Sequence, residues 1–299
     1  MPSCVYLFHL ILATTSKLGA SKVAGADAPA AEACAEPPMP VVVAGGDRVE
    51  RAVSETHDLG GGRTVHMRAL HDELQLTYVH NIASAAEIAR LVELADARGG
   101  FIRSPLKEQA GGDVVQGGTR HAQRTSSSCP LLWPHAYANR RDAFADKPEL
   151  LEELELAGNI TERVAALLTA AGLETASSNI EPLQLVRYKA GELFGPHHDY
   201  HATGESSVQG EQRVMTVLVF GSTLAPEDGG ETDFPHLGVS VSPRAGDAVA
   251  WMNVDMEGEP EDRSLHQGKP PLRGEKVAIN VWVADQPFDV GNMGSAVRT

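Results

Sequence analysis

From Leu183 to Ala284 the chain is a series of short apolar runs, and none of the stretches between them has the length or periodicity of a helix. The runs are Gln184 to Tyr188, Val214 to Phe220, Glu231 to Phe234, Val239 to Val241, Ala248 to Met252 and Val277 to Ala284. Gly191, Gly221, Pro235 and Gly246 punctuate them, as turn residues do between strands. Several short strands at this spacing indicate an antiparallel sandwich or barrel. The fold expected is mainly β with flanking α-helices: a double-stranded β-helix, or jelly roll, over about residues 183–285, packed by helices that precede it.

Two such helices can be read. Ser84-Ala85-Ala86-Glu87 is a capping box, and Ile88, Leu91, Val92 and Ala95 follow at helical spacing until Gly99-Gly100. A second helix is expected from Thr161 to Ala171, with Val164, Leu167, Leu168 and Ala171 on one face and Gly172 as terminator.

The flanks differ in composition. Residues 1–26 carry an apolar run from Val5 to Ala13 and end in Ala24-Gly25-Ala26, so they read as a signal peptide or an anchor, without a basic segment ahead of the run. Residues 27–63 are expected to be a flexible Ala/Pro/Gly-rich linker, residues 64–288 one domain, and residues 289–299 a loose tail. No later stretch reaches the roughly 18 apolar residues of a membrane span. The natural reading is a secretory route, to the endoplasmic reticulum lumen, with the cytoplasm as the alternative; the sequon Asn159-Ile160-Thr161 would fit the former.

A formal net charge of -15 over 299 residues argues against nucleic acid or an anionic membrane as partner, since phosphate binding needs clustered Lys and Arg. Cys4, Cys34 and Cys129 are too few and too scattered for a thiolate metal site, although loss of the N-terminus would leave Cys34 and Cys129 able to pair. Any metal must therefore rest on imidazoles and carboxylates.

Pro196-His197-His198-Asp199-Tyr200-His201 crowds three imidazoles and a carboxylate together. In an extended strand residues 197, 199 and 201 share a face, so a His-x-Asp pair points two donors at one place. A distant His would complete a facial triad for iron(II) with open positions. His266, within Ser264-Leu265-His266-Gln267-Gly268, is the best candidate. Ten positions later Lys276 opens an apolar strand, where a buried ammonium is costly unless it meets an anion such as the distal carboxylate of 2-oxoglutarate.

Over roughly residues 77–288 these blocks resemble the prolyl 4-hydroxylase group of Fe(II)/2-oxoglutarate-dependent dioxygenases. The matching blocks, in order, are Asn81 to Glu87, Arg124-Thr125-Ser126-Ser127, Leu185 to Gly191, Arg213 to Leu218, Gly229 to Pro235 and Pro243 to Ala248, closed by His266 and Lys276. The resemblance implies His197, Asp199 and His266 as metal ligands, with His201 as the fallback for His197, and His198 facing away. It implies Lys276, Tyr188 and Thr216 as contacts of 2-oxoglutarate, and Arg124 as part of a substrate groove to which Trp251 is a weaker candidate. Fe(2+), 2-oxoglutarate and L-ascorbate follow as cofactors, and O2 with a proline-containing peptide or protein as partners. The implied reaction hydroxylates peptidyl proline while 2-oxoglutarate is decarboxylated to succinate and CO2.

The sequence departs from the family's pattern at Glu192 and Phe194, where Gln and Tyr are usual, and at Lys269 and Val281. Two alternatives stay open: the same chemistry on another peptide residue or a small molecule, and a non-catalytic barrel used for binding.

Overall fold

Alternation along each strand sends side chains to two faces, and that sorting organises the whole molecule. The computed structural model describes residues 42–44, 47–48, 52–104, 124–137, 141–201 and 211–289. In chain order these form β1 (Val42–Ala44), β2 (Asp47–Arg48), β3 (Glu55–Asp58), β4 (Thr64–His71), β5 (Leu76–His80), α1 (Ala85–Ala97), β6 (Ile102–Arg103), β7 (Ser127–Pro130), α2 (Pro134–Tyr137) and α3 (Pro148–Ala170). Then follow β8 (Gln184–Tyr188), β9 (Phe194–His197), β10 (Arg213–Phe220), β11 (Thr232–Phe234), β12 (Val239–Val241), β13 (Ala248–Met252), β14 (His266–Gly268) and β15 (Lys276–Ala284).

All pairings are antiparallel and fall into two sheets. The larger runs β3-β4-β5-β13-β10-β15-β8-β7-β6, the smaller β2-β1-β12-β11-β14-β9. Met215, Val217 and Val219 of β10 pack with Ile279, Val281 and the apolar stripes of α1 and α3. Their neighbours Leu218 and Phe220 turn the other way and meet Phe234, Val239 and Val241 of the smaller sheet. The core thus has two layers: helices against the outer face of the large sheet, and the interior between the sheets, as expected of a jelly roll.

Helix α1 begins as the capping box requires, with the Ser84 hydroxyl accepting from the Glu87 N–H and the Glu87 carboxylate accepting from the Ser84 N–H. Helix α3 starts at Pro148, thirteen residues before the expected Thr161. Its first half buries Leu154, Ala157 and Ile160, but buries Glu153 as well, 0% exposed and paired with Arg98. An acid on the apolar face, followed by Gly158 and Asn159, hides the periodicity that marks a helix.

The expected linker over residues 27–63 is corrected at its C-terminal end. β1 pairs with β12, Val42 opposite Val241, and β3 pairs with β4, Glu55 opposite Met67. These strands are held by backbone hydrogen bonds to sheet edges, which an Ala/Pro/Gly composition does not reveal. Residues 1–26, Cys34 and the tail from 290 lie outside the described residues; Cys129 is fully buried and Asn159 is exposed on α3.

Candidate metal centre

β9 and β14 are neighbours at one edge of the smaller sheet, and their register sets His197 directly opposite His266. The two rings are 4.2 Å apart between centroids. The strand ends at His197, and the chain beyond it brings Asp199 back to the same place: Asp199 Oδ1 is 3.8 Å from His197 Nε2, and Oδ2 is 3.7 Å from His266 Nε2. One donor atom from each residue lies within 4.8 Å of the others. Among the described residues this is the one such group.

The tautomers follow from the backbone. His197 Nδ1 is 2.8 Å from the Gly195 carbonyl oxygen, and His266 Nδ1 is 2.9 Å from that of Ser264. Carbonyls only accept, so each Nδ1 donates a proton to the backbone and each Nε2 is the ring nitrogen turned toward the carboxylate. Burial, then the neighbouring His266, holds the His197 imidazole below its ordinary range. Burial alone would raise the Asp199 carboxyl, but His266, His197, Arg213 and the Thr216 hydroxyl outweigh it and hold it low. Two imidazole nitrogens and one carboxylate therefore converge on one place, a donor set that fits iron(II).

Behind the triad a cavity opens between the sheets. Val186, Leu218 and Ala278 give it apolar walls; Tyr188, Thr232, Lys276 and Asn280 give it polar groups. Lys276 is 1% exposed, its Nζ donates to Thr232 Oγ1 at 3.2 Å, and it sits 5.6 Å from the centroid of the Tyr188 ring. No carboxylate lies within ion-pair distance of it among the described residues. Burial pushes this ammonium down to about 7, against the more distant pull of Glu231. A cation left in that position is the complement of an anionic ligand.

The other expected site residues sort themselves. Tyr188 lines the cavity, with burial raising its phenol. Thr216 does not line it: its hydroxyl donates to Asp199 Oδ2 at 2.8 Å. Trp251, the weaker candidate for the groove, is 1% exposed and lines the cavity inside the barrel, 4.6 Å from the His266 ring and 5.2 Å from Phe234. Alternation along β13 puts Val249 and Trp251 on the inner face. Arg124 is half-buried with its guanidinium 4.3 Å over the Phe194 ring, and that ring lies 3.5 Å from His197, nearly parallel to it. Phe194, singled out as a departure, is thus a plate against a candidate ligand. Glu192 accepts from the Lys189 N–H and stays in the turn.

His198 faces Ser264 and Asp262, and His201 is engaged by Gln212; neither joins the triad. Sequence reading missed Thr232, although the turn Gly229-Gly230 ahead of it was a signal. Gly230 has φ +80°, and a Cβ there would come within 2.6 Å of Leu224 Cδ1, so glycine lets this turn carry Thr232 up to Lys276.

An antiparallel jelly roll enclosing a two-histidine, one-carboxylate centre defines a non-haem iron(II) oxygenase barrel. Residues 183–284 match the 2OG-Fe(II) oxygenase superfamily, and this region of the chain belongs to it. Its relatives are prolyl 4-hydroxylases. Prolyl 4-hydroxylase 13 of Arabidopsis thaliana is 33% identical over 179 residues, 54% of this chain and 65% of that protein. Prolyl 4-hydroxylase subunit alpha-3 of Homo sapiens is 35% identical over 223 residues, 73% of this chain and 35% of that protein. The chain therefore spans less than two thirds of the length of these curated relatives. In fold it is similar to the viral collagen prolyl hydroxylase vCPH from Paramecium Bursaria Chlorella virus-1, with a TM-score of 0.51 and 21% identity, covering 70% of this chain and 95% of that one.

Proposed function

We propose that the chain hydroxylates peptidyl proline as an iron(II)- and 2-oxoglutarate-dependent dioxygenase, with His197, Asp199 and His266 holding the metal. The observation that carries this reading is the buried triad with a buried, carboxylate-free lysine beside it in one cavity. Iron(II) with 2-oxoglutarate and O2 supplies the oxidising chemistry, in which 2-oxoglutarate becomes succinate and CO2 and one oxygen atom enters a substrate C–H bond.

The residues of the chain bind, orient and shield. The carbonyls of Gly195 and Ser264 accept from the two Nδ1 atoms and fix the ring orientations, so each imidazole turns its Nε2 to the metal position. Lys276, with Thr232 and Tyr188, receives the far carboxylate of 2-oxoglutarate, whose charge raises the depressed ammonium back toward full protonation. Val186, Leu218 and Ala278 keep water from the space between. Thr216 acts through Asp199. Arg124 is the groove residue of this reading, at the outer side of Phe194.

Proline is the proposed target because the relatives at about one third identity carry that activity in their names. Polyproline segments lack internal hydrogen bonds and present each ring to a partner. Ascorbate is the proposed reductant and the secretory pathway, in the endoplasmic reticulum lumen, the proposed compartment, supported by the N-terminal apolar run and the exposed Asn159. Among the described residues no helix is long and apolar enough to cross a membrane.

The test is product analysis. The chain is incubated with iron(II), 2-oxoglutarate, ascorbate and either a polyproline peptide or its alanine counterpart. Peptide-stimulated succinate together with one added oxygen on a proline ring is the expected result. Stimulation by neither peptide, with succinate still formed, would overturn the prolyl substrate and favour another residue or a small molecule, as the missing phenolic hydroxyl at Phe194 would allow.

A further inference from the structure

The threonine that holds the triad's carboxylate is itself held by a residue that nothing so far has placed in the site. Thr216 Oγ1 donates its proton to Asp199 Oδ2 at 2.8 Å, and a hydroxyl has only one proton to give. Asn253 Nδ2 lies 2.9 Å from the same Oγ1. Since Thr216 can only accept there, the amide nitrogen and not the oxygen of Asn253 must face it. The direction of the whole relay is thereby set: Asn253 to Thr216 to Asp199.

Asn253 is built for a fixed orientation. It follows β13 directly and is 0% exposed. Its N–H donates to the Val214 carbonyl at 2.9 Å and its own carbonyl accepts from the Glu261 N–H at 3.0 Å. With main chain tied on both sides and Thr216 on the central strand β10, neither relay member can turn without breaking a buried hydrogen bond. By contrast Asp199 lies beyond the end of β9, where no ladder holds it.

We infer that Asn253 is a positioning residue for the metal centre: through Thr216 it commits Asp199 Oδ2 to the protein and leaves Oδ1 as the oxygen offered to the metal. A carboxylate released from that hold can turn and offer both oxygens, filling a place that an incoming ligand needs. The inference rests on the proposed iron reading of the triad, and predicts that Asn253 matters only while Thr216 carries its hydroxyl.

The test is a cycle of variants in the full chain, with cobalt(II) as spectroscopic probe. Asn253→Asp keeps the shape but puts an acceptor in front of Thr216, diverting the hydroxyl from Asp199; Asn253→Ser shortens the side chain and guards against misfolding of the first. Thr216→Val removes the link and Thr216→Ser restores it. Each metal-free variant is first checked by its melting curve. Cobalt(II) affinity should fall about 10-fold or more in Asn253→Asp, with an altered visible absorption spectrum, and Thr216→Ser should stay near wild type. In the Thr216→Val background the Asn253 substitutions should have no further effect on either readout.

An Asn253 effect of equal size with and without the Thr216 hydroxyl, or wild-type cobalt affinity and spectrum in both folded Asn253 variants, would overturn the inference. Should Asn253→Asp fail to fold, Asn253→Ser and the Thr216 pair decide by the same criterion. Cobalt(II) binding by the wild type that His266→Ala leaves unchanged would instead remove the metal reading beneath it.

Discussion

At position 276 a lysine ammonium lies 1% exposed inside the barrel, with the Thr232 hydroxyl as its hydrogen-bond partner. Its depression to about 7 means that, between there and the usual value near 10.4, the unfolded chain binds more protons than the folded one. The ligand-free protein should therefore gain stability as pH rises from about 7 toward 10, at most about 1.4 kcal/mol per pH unit from this group, and lose that gain as pH falls back. Lys276→Met should abolish this part of the slope and raise the melting temperature at pH 7. In turnover the same change should raise KM for 2-oxoglutarate about 30-fold or more, the cost of removing one partner of a buried charge pair. An unchanged slope in the variant would show that the ammonium is not held in the barrel as described. His266→Ala should lose metal-dependent stabilisation, while His201→Ala, outside the triad, should keep it; melting curves with and without cobalt(II) separate them. Asp199, His266 and Lys276 stood out because ligand and anion chemistry restricts side-chain type and spacing, whereas the choice of His197 over His201 came from the family resemblance. Thr232, Asn253 and the facing of Thr216 were not, because hydroxyls and amides are common and their roles depend on strand register.

Among the elements, β8, β10, β13 and β15 stand where their apolar runs stand, since a strand buried on both faces announces itself by continuous Val, Ile and Leu. Helix α1 was legible for a different reason: its capping box is a local signal that needs no tertiary context. Half of α3 was not. Glu153 interrupts its apolar face, yet the acid is what joins the helix to the sheet, accepting from Arg98 and from the Leu132 N–H at 2.9 Å. Glu153→Ala should destabilise the fold by about 2 kcal/mol, because it leaves the Leu132 N–H without its acceptor and removes the carboxylate from Arg98, which keeps only the Pro130 carbonyl and Cys129 Sγ. Urea unfolding measures this, and a loss under about 0.5 kcal/mol, as for an ordinary surface change, would contradict the role given to Glu153. β1 to β3 were missed because strands at or next to a sheet edge are recruited by backbone pairing rather than by an apolar pattern of their own.

For the molecule as a whole, the jelly-roll class was readable from runs and turns, but the strand order was not. That order matters to function: β9 and β14, separated in sequence by β10 to β13, become neighbours and set His197 opposite His266. β15 lies between β10 and β8 in the other sheet, so Lys276 stands opposite Tyr188 and faces the same interior. One cavity between the two sheets then contains a metal-binding donor set and a buried cation, the two ends that a 2-oxoglutarate molecule requires. The most direct test measures succinate formed from 2-oxoglutarate by the purified chain with and without iron(II), beside His266→Ala and Lys276→Met. Iron-dependent succinate in the wild type, none in His266→Ala, and turnover in Lys276→Met restored only at much higher 2-oxoglutarate is the expected result; folded, iron-loaded wild type that forms no succinate would contradict the assignment of this site as an oxygenase.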